Sequence, residues 1–207
     1  MKLINKNDEP KELKIFNANR GKKNIPWNDN RVPPIVYADI KNSLFDEQNG
    51  YCAYCLRKID NKCRVEHFAP RSKYPNLIWD YKNMLGVDNE DASKYNGLCE
   101  SGKGSKEIRI SPLSKSQMEG IYYLSNGYLK HDEYQHDIDK VLNLNHQVFV
   151  SARSAMFKEI NLYIQEMQNC SNHDIYDELI EIYSLSDYNY APAAISYIEN
   201  LHKKGII

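Results

Sequence analysis

Cys52-Ala53-Tyr54-Cys55, Glu66-His67-Phe68-Ala69-Pro70, Asn83-Met84-Leu85 and Cys99-Glu100-Ser101-Gly102-Lys103-Gly104 follow one another in the middle of this 207-residue chain. The side chains able to do chemistry concentrate there. The two-residue spacer between Cys52 and Cys55 is that of a zinc knuckle, whose turn points both thiolates at one tetrahedral ion. A redox pair of the same spacing would sit in a βαβ thioredoxin-like pattern, which the flanking sequence does not show; two reduced core thiols are the remaining reading. An acid beside a histidine on an extended strand points to the opposite face, so Glu66 and His67 act together only where the chain bends, as Pro70 suggests.

Outward from this stretch, Ile35, Val36, Ala38, Ile40, Leu44 and Phe45 recur at helical spacing. Pro33-Pro34 opens and Asn49-Gly50 closes that run, predicting a helix that delivers the chain to Cys52. Residues 1–33 are rich in Lys and Asn and read as an extended arm, with a short helix or strand near Leu13-Lys14-Ile15-Phe16. Within 34–112, Arg64-Val65 is β-like and Trp79 to Met84 predicts a helix. In 113–207, Ile121-Tyr122-Tyr123-Leu124 and Tyr128-Leu129-Lys130 flank Ser125-Asn126-Gly127, a hairpin signal. Helices follow: a stripe of Val148, Met156, Ile160, Tyr163, Ile164 and Met167, then Ile175 to Leu185, then Pro192 to Lys203. The fold class is α+β, with a small mixed core from 34 to 112 on which the hairpin and helical region pack. Tyr188, Tyr190 and Tyr197 are expected to supply a partner surface there.

The formal net charge is −1 and the pI about 6.6, so no global positive field holds nucleic acid by counterion release, and contact must come from a local patch or a partner. No apolar run approaches the roughly 20 residues of a membrane span, and the first residues lack a signal-peptide stretch, which predicts a cytoplasmic protein. Five cysteines, an odd number with no export signal, argue for metal ligation or reduced thiols over a disulfide framework. Cys170 reads as core, and His131, His136, His146, His173 and His202 as surface or capping residues outside the constellation.

Taken together, the knuckle, the acid-His pair, the downstream Asn and the Cys-acid-x-x-Lys-Gly segment resemble the HNH, or ββα-metal, endonucleases. The resemblance is strongest to the PtuB-like HNH subunits of Septu and retron-associated anti-phage defence systems. It takes in Leu44 to Cys55, Glu66 to Pro75 and Asn83 to Leu85, and extends weakly to Leu142-Asn143-Leu144-Asn145 and Arg153. It implies a hairpin and helix embracing a catalytic Mg²⁺ or Mn²⁺, a separate structural Zn²⁺, and an ABC or SMC-like ATPase partner (PtuA-like). His67 falls on the general base, Asn83 on the residue bracing its loop and Glu66 on a metal ligand. Glu100 falls where many relatives carry Asn or His as second ligand, and a carboxylate suits either ion there. Cys52, Cys55 and Cys99 fall on zinc ligands. The family's usual third cysteine after the Asn-Leu element is replaced by Gly86-Val87-Asp88-Asn89, so the fourth ligand is Asp88 or Cys63, or the site is a packed thiol cluster.

On this reading neutral His67 takes a proton from water near pH 7, and activity rises with its titration. Arg71, Lys73 and Lys103 meet flanking phosphates. DNA is the first substrate expected and RNA, such as transfer RNA, the second. A zinc-stabilised binding subunit without catalysis is the reading from a different class.

Overall fold

Val36, Ile40 and Leu44 form the buried stripe of helix α2 (Pro34–Glu47) in a computed structural model of the chain, which describes residues 1–21, 23–59, 63–88, 96–167 and 174–207. Cys170 and His173 lie outside the described residues. Before α2 comes α1 (Lys11–Arg20); after it come β1 (Arg64–His67), β2 (Met84–Val87), α3 (Cys99–Lys103), α4 (Lys115–Glu119), β3 (Tyr122–Tyr123), β4 (Leu129–Lys130), α5 (Gln147–Met167), α6 (Ile175–Leu185) and α7 (Ala191–Lys203). The architecture is α+β, with two small antiparallel sheets among helices. No helix among the described residues is long and apolar enough to cross a membrane.

β1 pairs with β2 in a register that sets Glu66 opposite Leu85 and His67 opposite Met84. The chain between them returns through short 3₁₀ turns at Pro75–Leu77 and Tyr81–Asn83. The helix expected from Trp79 to Met84 is therefore replaced by one turn and a strand. Asp80 caps that turn by accepting from the Lys82 N–H, and Met84 to Val87 leave it to become the fully buried partner of β1, so strand pairing overrides a local helical pattern. Gln48 holds β2 from the other side: its amide accepts from the Gly86 N–H at 2.7 Å and donates to the Gly86 carbonyl at 2.8 Å.

The arm is not extended. Leu13 and Phe16 of α1 are buried with Ile25, Val32, Trp79 and the α2 stripe in one apolar cluster, and burying that face stabilises a helix that propensity alone would leave marginal. A larger cluster joins Cys52, Tyr54, Cys55, Leu85 and Cys99 to Ile138, Leu142, Phe157, Tyr197 and Ile198, so the cysteine-rich stretch and the C-terminal helices share a core. Tyr190 and Tyr197 belong to it, contrary to the interface expected of them. Tyr197 stacks on Phe157 at 4.2 Å between centroids, and the Tyr190 N–H donates to the Leu56 carbonyl. Tyr188 alone of the three is exposed.

The β3–β4 hairpin forms with Tyr123 opposite Leu129. Its Gly127 has φ +86°, and a Cβ there would lie 2.4 Å from the Val150 carbonyl oxygen, so glycine lets α5 approach the turn. The buried face of α5 is Phe149, Val150, Arg153, Phe157, Ile160 and Ile164. Of the expected stripe, Ile160 and Ile164 are buried and Met156 and Tyr163 pack partly buried against the same cluster, while a charged residue joins the buried face. Arg153 is 1% exposed, donating to Gly127 O at 2.7 Å and Leu144 O at 2.8 Å, and its guanidinium lies over the Tyr123 ring. Carbonyl dipoles rather than a carboxylate satisfy the charge. Arg153→Met strands both carbonyls in the core and is expected to cost about 3 kcal/mol of unfolding free energy in a urea titration; a loss below about 0.5 kcal/mol would contradict this role.

Candidate active site

The turn Cys52–Cys55 is closed by the Leu56 N–H on the Cys52 carbonyl and tied to β2 by the Ala53 N–H on the Gly86 carbonyl. Cys99 opens α3 on the other side, with φ +54°. Its Sγ lies 3.6 Å from Cys52 Sγ, and the Sγ atoms of Cys52, Cys55 and Cys99 all fall within 4.8 Å of one another in the core. Tetrahedral zinc with Zn–S of about 2.3 Å holds its sulfurs about 3.8 Å apart, so the spacing fits a metal ion such as zinc. Burial pushes Cys52 up, but hydrogen bonds from the Cys55 and Cys99 thiols and from the backbone of Cys55 and Asp88 hold it well below the ordinary thiol value. Burial pushes Cys55 up, and hydrogen bonding to Cys52 and Cys55 pushes Cys99 up. Three buried thiols in mutual contact are the donor set that a soft cation takes.

The proposed fourth ligands are not part of this cluster. The Asp88 carboxylate lies 2.9 Å from Arg57 Nη1, which gives it a partner other than a metal. Cys63 donates to the Lys41 carbonyl at 3.5 Å, on the α2 side. Among the described residues only the three cysteines form such a group.

Glu66 leaves β1 toward α3. Its Oε1 lies 2.6 Å from Lys103 Nζ, and the same ammonium donates to the His67 carbonyl at 3.1 Å. Lys103 is 1% exposed, which corrects its expected role: a lysine enclosed by Glu66 and a main-chain carbonyl does not reach a flanking phosphate. Burial pushes the Glu66 carboxyl up to about 7, against the lowering by Lys103, and the neighbouring Glu100 charge adds to the rise. Glu100 lies 3.5 Å from Arg64 Nη1. The Tyr54 hydroxyl is buried without a hydrogen-bond partner among the described residues; burial, followed by the charges of Glu66, Cys99 and Cys52 and last of Glu100, raises its pKa. Oxygen donors of this kind are what a hard divalent ion such as Mg²⁺ or Mn²⁺ takes, but each carboxylate here already faces a cation, Glu66 that of Lys103 and Glu100 that of Arg64.

His67 turns away from the acids. Its Nε2 is 2.9 Å from the Ile78 carbonyl oxygen; a carbonyl only accepts, so Nε2 carries the proton and Nδ1 the lone pair. The ring meets Trp27 nearly at right angles, centroids 4.8 Å apart. Burial, opposed by the Ile78 hydrogen bond and aided by the charges of Arg71 and Lys103, lowers the His67 pKa to about 4. Asn83 sits beneath the following loop: it accepts from the Ala69 N–H at 2.7 Å and donates to the Ala69 and Leu77 carbonyls. Arg71 is exposed over the Trp27 ring, and Lys73 is exposed and paired with Glu107.

Over 76 residues the chain is 33% identical to the Septu protein PtuB of Bacillus thuringiensis. The match takes in 35% of this chain and 28% of that protein, so the chain spans well under a third of the relative's length. No protein-family description matches the chain.

Trp27 and Tyr54 were not singled out by sequence reasoning. Trp27 lies in the arm, where the one available signal was a tryptophan among polar residues, and Tyr54 was read as spacer. On sequence alone His67 is expected to titrate near pH 7, whereas burial holds its pKa at about 4, so the ring is neutral through the neutral range. By NMR in the metal-free protein, the His67 ring resonances are expected not to shift between pH 5.5 and 8. A midpoint near the ordinary histidine value of about 6.5 would show that the ring is solvated.

Proposed function

We propose that this chain is a metal-dependent HNH-type endonuclease acting as the effector subunit of an anti-phage defence complex. The observation that carries the reading is a histidine of fixed tautomer at the end of β1, directly after a buried glutamate and just before a loop braced by Asn83. The order β1, β2, α3 and the similarity to a Septu PtuB protein support it. A partner ATPase of the ABC or SMC-like type follows from that similarity as part of the proposal, with DNA as first substrate and RNA as second.

In this mechanism Nδ1 of His67 takes the proton from the attacking water. Burial makes His67 a weak base at rest, and a substrate phosphate beside the ring raises its pKa by opposite charge. Glu66 and Glu100 would hold the divalent ion, and such an ion would supply Lewis-acid polarisation of the phosphate and stabilisation of the leaving oxygen. Asn83 keeps the histidine loop in place, Arg71 and Lys73 meet neighbouring phosphates, and Cys52, Cys55 and Cys99 hold zinc as a structural clamp. Because Lys103 already supplies a cation to Glu66, a second reading has support: a zinc-stabilised nucleic-acid-binding subunit without catalysis.

Cleavage of plasmid DNA and total RNA with Mg²⁺ or Mn²⁺, with and without a co-purified ATPase, tests both. His67→Ala is expected to lower single-turnover cleavage by about 10²- to 10⁴-fold while keeping the fold and bound Mn²⁺. Glu66→Ala and Glu100→Ala are expected to lose the ion as well, and excess Mn²⁺ to restore part of their activity. Wild-type cleavage by His67→Ala would refute the base assignment, and a wild type that binds nucleic acid but neither Mn²⁺ nor cuts would establish the second reading.

A further inference from the structure

We propose that Trp27, with Arg71, forms a subsite beside His67 that stacks an unpaired nucleobase next to the phosphate to be cut; the proposal rests on the nuclease reading and specifies its substrate. The Trp27 ring lies 4.8 Å from Trp79, inclined by 31°, so the buried Trp79 backs it. His67 and Tyr37 meet it at 83° and 80°, with centroids 4.8 and 5.1 Å away. The backbone is anchored on both sides of Trp27: the Ile25 carbonyl accepts from Trp79 Nε1 at 2.6 Å, and the Asn28 N–H donates to the Tyr37 hydroxyl at 3.0 Å. The indole is thus held rigidly against the base histidine.

Packing alone does not account for its exposure. Trp79 is 2% exposed, whereas Trp27 remains partly open to solvent. Arg71, itself exposed, stands over the ring at 5.9 Å from the centroid, within cation–π range, so it is free to move aside for a ligand. A partly exposed indole with an exposed, movable cation over it suits a base and its adjoining phosphate, since stacking on a protein ring is indifferent to base identity while the cation meets the backbone. A base reaches such a ring only when out of its own duplex stack. The substrate class is therefore single-stranded or locally unpaired nucleic acid.

The test is indole fluorescence of the full chain titrated with oligothymidine, oligouridine and a duplex of equal length, without divalent ions so that nothing is cut. Single strands are expected to quench wild-type emission and to bind more tightly than duplex. Trp27→Ala is expected to lose the quenching and weaken single-strand binding by about 5- to 100-fold, with Trp27→Phe intermediate. Exposed Arg71→Ser, which removes no core contact, is expected to weaken binding and flatten its salt dependence. Circular dichroism checks the fold of each variant. Wild-type affinity in folded Trp27→Ala would overturn the subsite, as would slower cleavage at unchanged affinity, which assigns Trp27 to supporting His67. If the wild type binds and cuts while Trp27→Ala is unaffected, only the subsite falls; if the wild type binds no oligonucleotide, the nuclease reading falls with it.

Discussion

The ammonium of Lys103, buried between the Glu66 carboxylate and the His67 carbonyl, is the interaction on which the candidate centre depends. Removing two charges from water costs several kcal/mol per ion unless they meet in good geometry, so once α3 and β1 dock, neither end of the pair tolerates displacement. α3 is only five residues long, yet it also carries Cys99 and Glu100. A single ion pair therefore fixes the thiol cluster, the second acid and the strand bearing the histidine relative to one another. Cys99 enters that helix with φ +54°, a conformation that costs an L-residue roughly 1–2 kcal/mol. The Leu142 carbonyl, accepting from the Cys99 N–H at 2.7 Å, helps to hold it there.

The alternation of β1 divides the chemistry between two sides. Glu66 faces α3, Glu100 and the cysteine turn, where burial and like charge make a place for a hard cation. His67 faces Ile78 and Trp27, where a carbonyl fixes its tautomer and the indole packs against the ring. In the proposed mechanism the phosphate joins the two sides at the end of the strand, where Asn83 holds the loop. The zinc-type thiol cluster backs the acid side and leaves the aromatic side to the substrate.

Much of this was readable in the sequence where local pattern and tertiary demand agree. Val36, Ile40 and Leu44 mark α2, Asn126-Gly127 marks the hairpin turn, and Cys52, Cys55 and Cys99 converge as their types suggest. What escaped depended on partners distant in sequence. Met84 to Val87 become a strand because β1 covers them, and Arg153 occupies a core position because three-dimensional proximity brings it carbonyls. Lys103 read as a phosphate contact because a lysine beside an acid and two glycines looks exposed. Its burial follows from Glu66, 37 positions earlier, and no local pattern announces that pairing. Trp27 escaped because the arm folds back onto the strand after a long polar stretch.

The central claim is a division of labour between a thiol cluster holding a zinc-type ion and an acid pair holding a hard divalent cation beside His67. Anomalous diffraction from crystals soaked in Mn²⁺, collected at the manganese and zinc edges, tests it most directly. The account predicts a zinc signal among Cys52, Cys55 and Cys99, and a separate manganese signal at Glu66 and Glu100 with the Tyr54 hydroxyl facing it. A crystal in which Lys103 keeps its contact with Glu66 and no manganese binds at the two acids would contradict it.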